Sequence, residues 1–305
     1  MPSLKDLKNR IKSVKSTQKI TKAMKMVAAS KLRRAREAAE AARPYATAMD
    51  RMVSRLASSY QHQSNGPLLL KGTGSDKNHL IIVATADRGL CGAFNSSITR
   101  ATRKQVKELQ AQGKNVKLYC VGKKSRDLLQ NDFGKLIVGV KTDIAKKTVA
   151  YVTAEAIAEE VLEIFEREKI DVVSIYYNHF KSVISQIVTH QQLIPLESVA
   201  SRQSSVASEE QSGDWRLETG DFSYDYEPEE EAILADLLPR NFAMQIFKAL
   251  LENAASEQGA RMNAMENATK NAGEMIKKIT LKYNRTRQAN ITKELIEIIS
   301  GAEAV

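Results

Sequence analysis

Cysteine, tryptophan and histidine are scarce in this 305-residue chain, at two, one and four copies. Cys91 and Cys120 are too few for a disulfide scaffold or an all-cysteine zinc site, and such thin usage fits a reducing compartment. His62, His79, His179 and His190 show none of the i, i+4 spacing of helical metal sites, so neither a metal nor a cofactor is expected. No run approaches the ~18 uncharged apolar residues of a membrane span. The opening Met1–Asp6 lacks the apolar stretch of a secretory signal, so none is expected. Glycine is absent from residues 3–56, where Pro44 is the one proline. What is present, 43% hydrophobic and 27% charged residues, argues for a globular chain with a substantial core.

Charge is unevenly placed. Residues 1–60 carry 15 Lys/Arg against 4 Asp/Glu, and residues 196–231 carry 2 against 11. The stretches 61–195 and 232–305 are milder, with 19 against 13 and 10 against 8. A basic arm implies an anionic partner and says nothing about fold.

Both chain ends read as long helices. Leu4, Leu7, Ile11 and Val14 make one apolar seam. Ala28, Leu32, Ala35, Ala39, Ala42, Ala46, Met49, Val53 and Leu56 make a second, stepping by 4 and 3 in heptad fashion. Thr17 and Thr21 break the row between them, Met24 restores it, and the 4-4 step through Ala28 reads as a stutter. Pro44 is expected to bend the helix without ending it. Toward the other end, Phe242, Ile246, Leu250, Met262, Met265, Ala268, Ala272, Ile276, Ile279 and Tyr283 recur at 3 and 4. Small residues crowd this row, among them Ala255, Gly259, Ala260, Ala264 and Gly273. An interior Gly costs a helix ~1 kcal/mol, which close approach of two backbones would offset. Two helices of matched length, roughly 80–90 Å each at ~1.5 Å per residue, would close as an antiparallel coiled coil.

Between them, strand and helix signals alternate. Strands are expected at His79–Thr85, Asn115–Val121, about Leu136–Val140, Asp171–Tyr177 and Ser182–Leu193, the last two joined by a turn at Asn178-His179. Helices are expected from Asn95 to about Gln112, at Lys123–Gln130 and at Ile144–Glu168. This alternation predicts a Rossmann-like, mostly parallel α/β domain. The organisation is therefore an N-terminal coiled-coil helix over 1–60, an α/β domain over 75–195, an acidic loop and return segment over 196–228, and a C-terminal coiled-coil helix over 229–305.

The local motifs are mostly bland. Gly122-Lys123-Lys124-Ser125 looks like the end of a phosphate-binding loop, but the position of its first glycine holds Lys117, so no phosphate cradle is expected. Asp87-Arg88-Gly89-Leu90-Cys91-Gly92 sits after a strand and before a helix, where α/β folds place ligands. A tight structural turn is the preferred reading, a ligand site the other. Cys91 is expected to be an inert thiol. Glu229-Glu230-Glu231 suits a helix N-terminus. For the basic face Lys8, Lys12, Lys15, Lys19, Lys22 and Lys25, three readings stay open: a solvated face, a surface for an acidic protein, or a nucleic-acid contact poor in stacking aromatics. The row Met24, Met26, Val27 exceeds what one seam needs.

Both ends carry longer, more specific patterns. The stretch Lys15-Ser16-Thr17-Gln18-Lys19-Ile20-Thr21-Lys22-Ala23-Met24-Lys25-Met26-Val27-Ala28-Ala29-Ser30-Lys31-Leu32 resembles the N-terminal helix of F-type ATP synthase γ subunits. Tyr283-Asn284-Arg285-Thr286-Arg287-Gln288-Ala289-Asn290-Ile291-Thr292-Lys293-Glu294-Leu295 resembles that family's terminal helix. Asp87–Asn95 is similar to the turn in its α/β domain. The resemblance implies a non-catalytic rotor whose paired helices stand inside a ring of three α and three β subunits. It implies that Arg287, Gln288 and Thr292 meet β-subunit loops, and that Lys22, Met24 and Lys25 face an acidic loop of β. It also implies that Tyr224, Tyr226 and Glu227 touch the c ring and the ε subunit, at the cytoplasmic face of a bacterial plasma membrane. Cys91 and Cys120 do not match the inserted cysteine pair of chloroplast members, so no thiol switch is expected. Pro239 lies where the family has helix. The competing readings are a basic coiled-coil nucleic-acid-binding protein and an α/β enzyme using the Asp87–Asn95 turn.

Overall fold

The computed structural model describes residues 3–60, 67–144, 148–196 and 230–303. Two helices dominate it: α1, Leu4–Tyr60, with 57 residues, and α6, Glu230–Glu303, with 74. Their lengths are not matched. At ~1.5 Å per residue they span roughly 85 and 110 Å. Pro44 lies within α1 and Pro239 within α6, which begins nine residues before it. Ser3 and Asp6 close a reciprocal cap at the start of α1: the Ser3 N–H donates to the Asp6 carboxylate at 3.1 Å and the Asp6 N–H to the Ser3 hydroxyl at 3.2 Å.

Between them α2 (Leu68–Lys71), β1 (Asn78–Ala84), α3 (Phe94–Ala111), β2 (Asn115–Val121), α4 (Lys123–Phe133), β3 (Ile137–Lys141), α5 (Tyr151–Arg167), β4 (Val172–Phe180) and β5 (Gln186–Ile194) follow in order. The sheet order is β3-β2-β1-β4-β5, parallel except for the antiparallel β4–β5 hairpin. Alternation along β1 divides the core. Leu80, Ile82 and Ala84 face α5 and α6, packing with Ile157, Val161, Phe242, Ile246 and Leu250. Ile81 and Val83 face α3 and α4, packing with Ile98, Val106 and Leu129. A strand apolar on both faces belongs at the centre of a covered parallel sheet, and β1 is there.

Three expected boundaries moved. The long helix starts at Tyr151 rather than Ile144. The hairpin reverses at residues 181–185 rather than Asn178-His179, so both of those residues lie in β4. The short helix runs to Phe133, three residues past its expected end. At the opposite end of the sheet Asp171 ties strands together, accepting the Thr73 hydroxyl and the backbone N–H groups of Lys77 and Asn78, the latter two at 3.0 and 2.8 Å. Burial alone would raise its carboxyl, but these donors outweigh it and hold it below the ordinary value.

Candidate functional site

The seam between α1 and α6 follows the expected heptads and fills their gap. Leu7, Ala28, Leu32, Ala46, Met49 and Val53 are buried on α1. Between the two apolar runs the seam is polar. Thr21 is buried, its hydroxyl 2.7 Å from that of Thr269, and the Gln18 amide donates to the Thr269 carbonyl at 3.4 Å. A Cβ at Gly273 would come within 3.0 Å of that same Gln18 amide, so the glycine admits the polar layer. Thr17 points outward, bonded to its own helix at the Ser13 carbonyl.

These pairings, with Lys25 on Glu266 at 2.8 Å, fix an antiparallel register that sets Leu4 opposite about residue 286. Every residue from Arg287 to Ser300 is exposed. The last four turns of α6 are thus a single unaccompanied helix, bearing Ile291, Leu295, Ile296, Ile298 and Ile299 in the open. Arg287, Gln288 and Thr292 stand on this overhang, the Thr292 hydroxyl bonded to the Gln288 carbonyl. Lys22 is exposed, Met24 half-buried, and Lys25 is engaged within the chain by Glu266. Met26 and Val27 lie outside the seam, 67% and 58% exposed. Tyr224, Tyr226 and Glu227 lie outside the described residues, as do the acidic Ser198–Gly220 stretch and Glu229.

In a parallel sheet whose order reverses, the crevice at the strands' C-terminal ends is the usual ligand site. Here the reversal lies between β1 and β4, and α6 fills the crevice. Asn253, Ala254 and Glu257 leave a cavity of about 20 Å³ beside Thr85, Ala86 and Asp87, room for about one water. The Asp87–Asn95 turn is spent on internal bonds. The Asp87 carboxylate accepts the Lys123 N–H at the start of α4, and the Asn95 side-chain oxygen accepts the Ala86 N–H, both at 3.0 Å. Gly122 at the base of α4 approaches β1 so closely that a Cβ would sit 2.3 Å from the Thr85 carbonyl oxygen, which explains this glycine without any phosphate. Cys91 is buried, with its thiol pushed up by desolvation; Cys120 is likewise raised, to about 11.

Two features here escaped the sequence. Glu257 and Arg261 form a nearly buried i, i+4 pair at 2.6 Å, and Arg261 also donates to the Gly89 carbonyl at 3.3 Å, tying the turn to α6. Burial raises the Glu257 carboxyl while Arg261 opposes the shift. A groove of about 660 Å³ opens beside this pair, lined by Met24, Val27 and Lys31 of α1 and by Arg88, Leu90 and Arg261. The second feature is the row Glu252, Asn253, Ser256, whose side chains bond the end of β4. The i, i+4 spacing of Glu257 and Arg261 was visible; its place against the Gly89 carbonyl was not.

A family model described as ATP synthase matches residues 3–305. The chain is 55% identical to an ATP synthase gamma chain of Rhodospirillum rubrum and 57% identical to that of Fuscovulum blasticum, each over the full length of both chains. Among solved structures, a chain of the Tetrahymena thermophila mitochondrial ATP synthase central stalk and c-ring is 34% identical, covers 82% of this chain and 99% of its own, and aligns with a TM-score of 0.60. A chain from the Euglena gracilis mitochondrial enzyme, 21% identical, shares the fold across 99% of this chain and 94% of its own, with a TM-score of 0.66. With two unequal antiparallel helices, a sheet whose ligand crevice is filled by one of them, and these likenesses along its whole length, the chain belongs to the ATP synthase gamma-chain family, a central-stalk rotor.

Proposed function

We propose that the chain is a non-catalytic shaft, passing torque between a proton-driven c ring and nucleotide sites carried by β subunits. The observation that supports this best is the unaccompanied end of α6: fourteen consecutive exposed residues, Arg287 to Ser300, carrying five open aliphatic side chains. Exposed apolar surface of this extent marks a contact with a partner. A ring of three α and three β subunits is the partner proposed, with Arg287, Gln288 and Thr292 meeting β loops. Lys22, Met24 and the groove beside Arg88 and Arg261 face an acidic loop of β. Lys25 reaches the same loop by exchanging its exposed ion pair with Glu266, a contact worth under about 1 kcal/mol. Tyr224, Tyr226 and Glu227 are assigned to the c ring and ε subunit.

In this reading residues 1–60 and 229–305 are the shaft, and residues 75–195 the domain that it turns. Catalysis belongs to β, and attachment to the cytoplasmic face of a bacterial plasma membrane comes through the complex. Within the described residues no helix is long and apolar enough to cross a membrane. The likenesses give no support to the nucleic-acid-binding alternative. Native mass spectrometry of the tagged chain, released gently from its own membranes, tests the proposal. One copy held with three copies each of two nucleotide-binding subunits is the expected result; a chain released alone or with nucleic acid overturns it.

A further inference from the structure

Strand β4 outruns its neighbour. β1 pairs with it from His79–Val172 to Val83–Tyr176, and β4 then continues to Phe180. Alternate residues of a strand aim their backbone groups at the same flank. Asn178 and Phe180, two apart, therefore aim theirs at the space β1 has vacated, where unpaired groups would be left buried.

Helix α6 supplies the missing partners from its side chains. The Asn178 N–H donates to Asn253 Oδ1 at 3.1 Å, and the Ser256 hydroxyl donates to the Asn178 carbonyl at 2.9 Å. The Phe180 N–H donates to Glu252 Oε2 at 3.1 Å. Glu252, 7% exposed, is itself held between His179 Nδ1 at 3.4 Å and Arg43 of α1 at 3.8 Å, so both shaft helices converge on the strand. Close approach is part of the geometry, since a Cβ at Gly259 would come 3.1 Å from the Phe180 ring.

Elsewhere the sheet meets α6 mainly through aliphatic contacts such as Ile246 and Leu250, with one side-chain bond besides, from the Gln191 amide of β5 to Gln245 Oε1 at 3.1 Å. Aliphatic contacts are non-directional and tolerate rolling. Hydrogen bonds do not. Advancing α6 by one residue turns its side chains by about 100° and takes all three groups away from β4.

We propose that Glu252, Asn253 and Ser256 are the rotational key of this molecule: they complete the ladder of β4 and so force the α/β domain to turn with the shaft. The proposal rests on the rotor reading above and adds to it the residues through which torque crosses between the two parts. They are positioning residues, acting on no nucleotide or ion themselves.

The test uses the assembled complex carrying the Asn253→Ala/Ser256→Ala chain. Hydrogen exchange at the Asn178 amide should quicken by about tenfold or more, while that of Val173 and Ile175 stays unchanged. ATP hydrolysis should persist, with protons pumped per ATP falling by about half or more. Faster exchange with unchanged pumping per ATP overturns the proposal. If the double variant does not assemble, Glu252→Ala and Glu252→Gln decide. The amide oxygen of Gln still accepts the Phe180 N–H, so Glu252→Gln should pump as the parent does and Glu252→Ala should not; equal loss in both overturns the key. Coupled pumping by a complex lacking this chain would instead overturn the rotor reading, which separates the two failures.

Discussion

One helix lives in two opposite surroundings. From Asn241 to Ala260 only Lys248 of α6 is exposed, the helix being wrapped by α1, α5 and the sheet. From Arg287 to Ser300 nothing covers it. The first stretch shows no one-sided apolar stripe, whereas the second carries Ile291, Leu295, Ile298 and Ile299 on one face at helical spacing. The first has protein on every side, so even its polar Asn241, Gln245, Glu252, Asn253 and Ser256 are buried and hydrogen-bonded. The second leaves four isoleucines and Leu295 exposed, the surface that the proposed ring would cover. The same secondary structure is thus a core element at one end and an unpartnered contact at the other.

Substitutions can break or sharpen that contrast. Phe242, 2% exposed between sheet and helix, should cost about 3–5 kcal/mol as Phe242→Ala, whereas Ile298→Ala, 71% exposed, should shift stability by less than about 0.5 kcal/mol. Thermal unfolding of both variants gives the answer, and equal losses would erase the distinction. Next in size, Asp171→Asn should lose about 1–3 kcal/mol, since a neutral amide accepts the Lys77 and Asn78 donors less well. The carboxyl of Asp171 sits below its unfolded value of 3.8, so the stability it supplies is complete above about pH 4. That stability drains away as the pH falls through the lowered folded value. An acid titration of unfolding midpoints should show this slope in the parent and lose it in Asp171→Asn.

Smaller still, Thr21→Val should cost under about 1 kcal/mol, because Thr269 keeps its bond to the Met265 carbonyl. Urea denaturation reads the difference, and a loss above 2 kcal/mol would make the polar layer a stability element rather than a tolerated gap. Lys22→Glu/Lys25→Glu should lower the unfolding midpoint only slightly, Lys25 exchanging a largely exposed ion pair with Glu266 for a solvent-screened like-charge contact. The same pair of changes should lower ATP-driven proton pumping, and undiminished pumping removes these lysines from the proposed β contact. Smallest of all, ending the chain after Tyr283 should leave the α/β domain's unfolding untouched while weakening assembly, measured by co-purification.

The seams were legible because heptad spacing is a local property of Ala28, Leu32, Ala46 and Val53. So were β1 and β2, whose continuous apolar runs admit little else. The hairpin was misplaced because Asn178 and His179 look like turn residues until Asn253, Ser256 and Glu252, some 75 positions away, supply partners to a continuing strand. The start of α5 was placed seven residues early because the helix-forming composition of residues 144–150 does not mark where the first turn begins. For the site, the small residues of α6 signalled a close approach. Only the fold shows that Gly259 faces Phe180 and that Gly273 faces Gln18. The overhang was missed for a similar reason: the register set by Thr21 and Thr269 decides where α1 stops covering α6.

The bare tip of α6 has a calorimetric consequence. Ile291, Leu295, Ile296, Ile298 and Ile299 are hydrated in the free chain, and their hydration shell adds heat capacity. Seating the tip within a surrounding ring releases that water, so binding of the full chain should show a negative heat-capacity change larger than that of a chain ending at Tyr283. The enthalpy of insertion should therefore grow more favourable as temperature rises, and a shaft of this kind should be held most loosely in the cold.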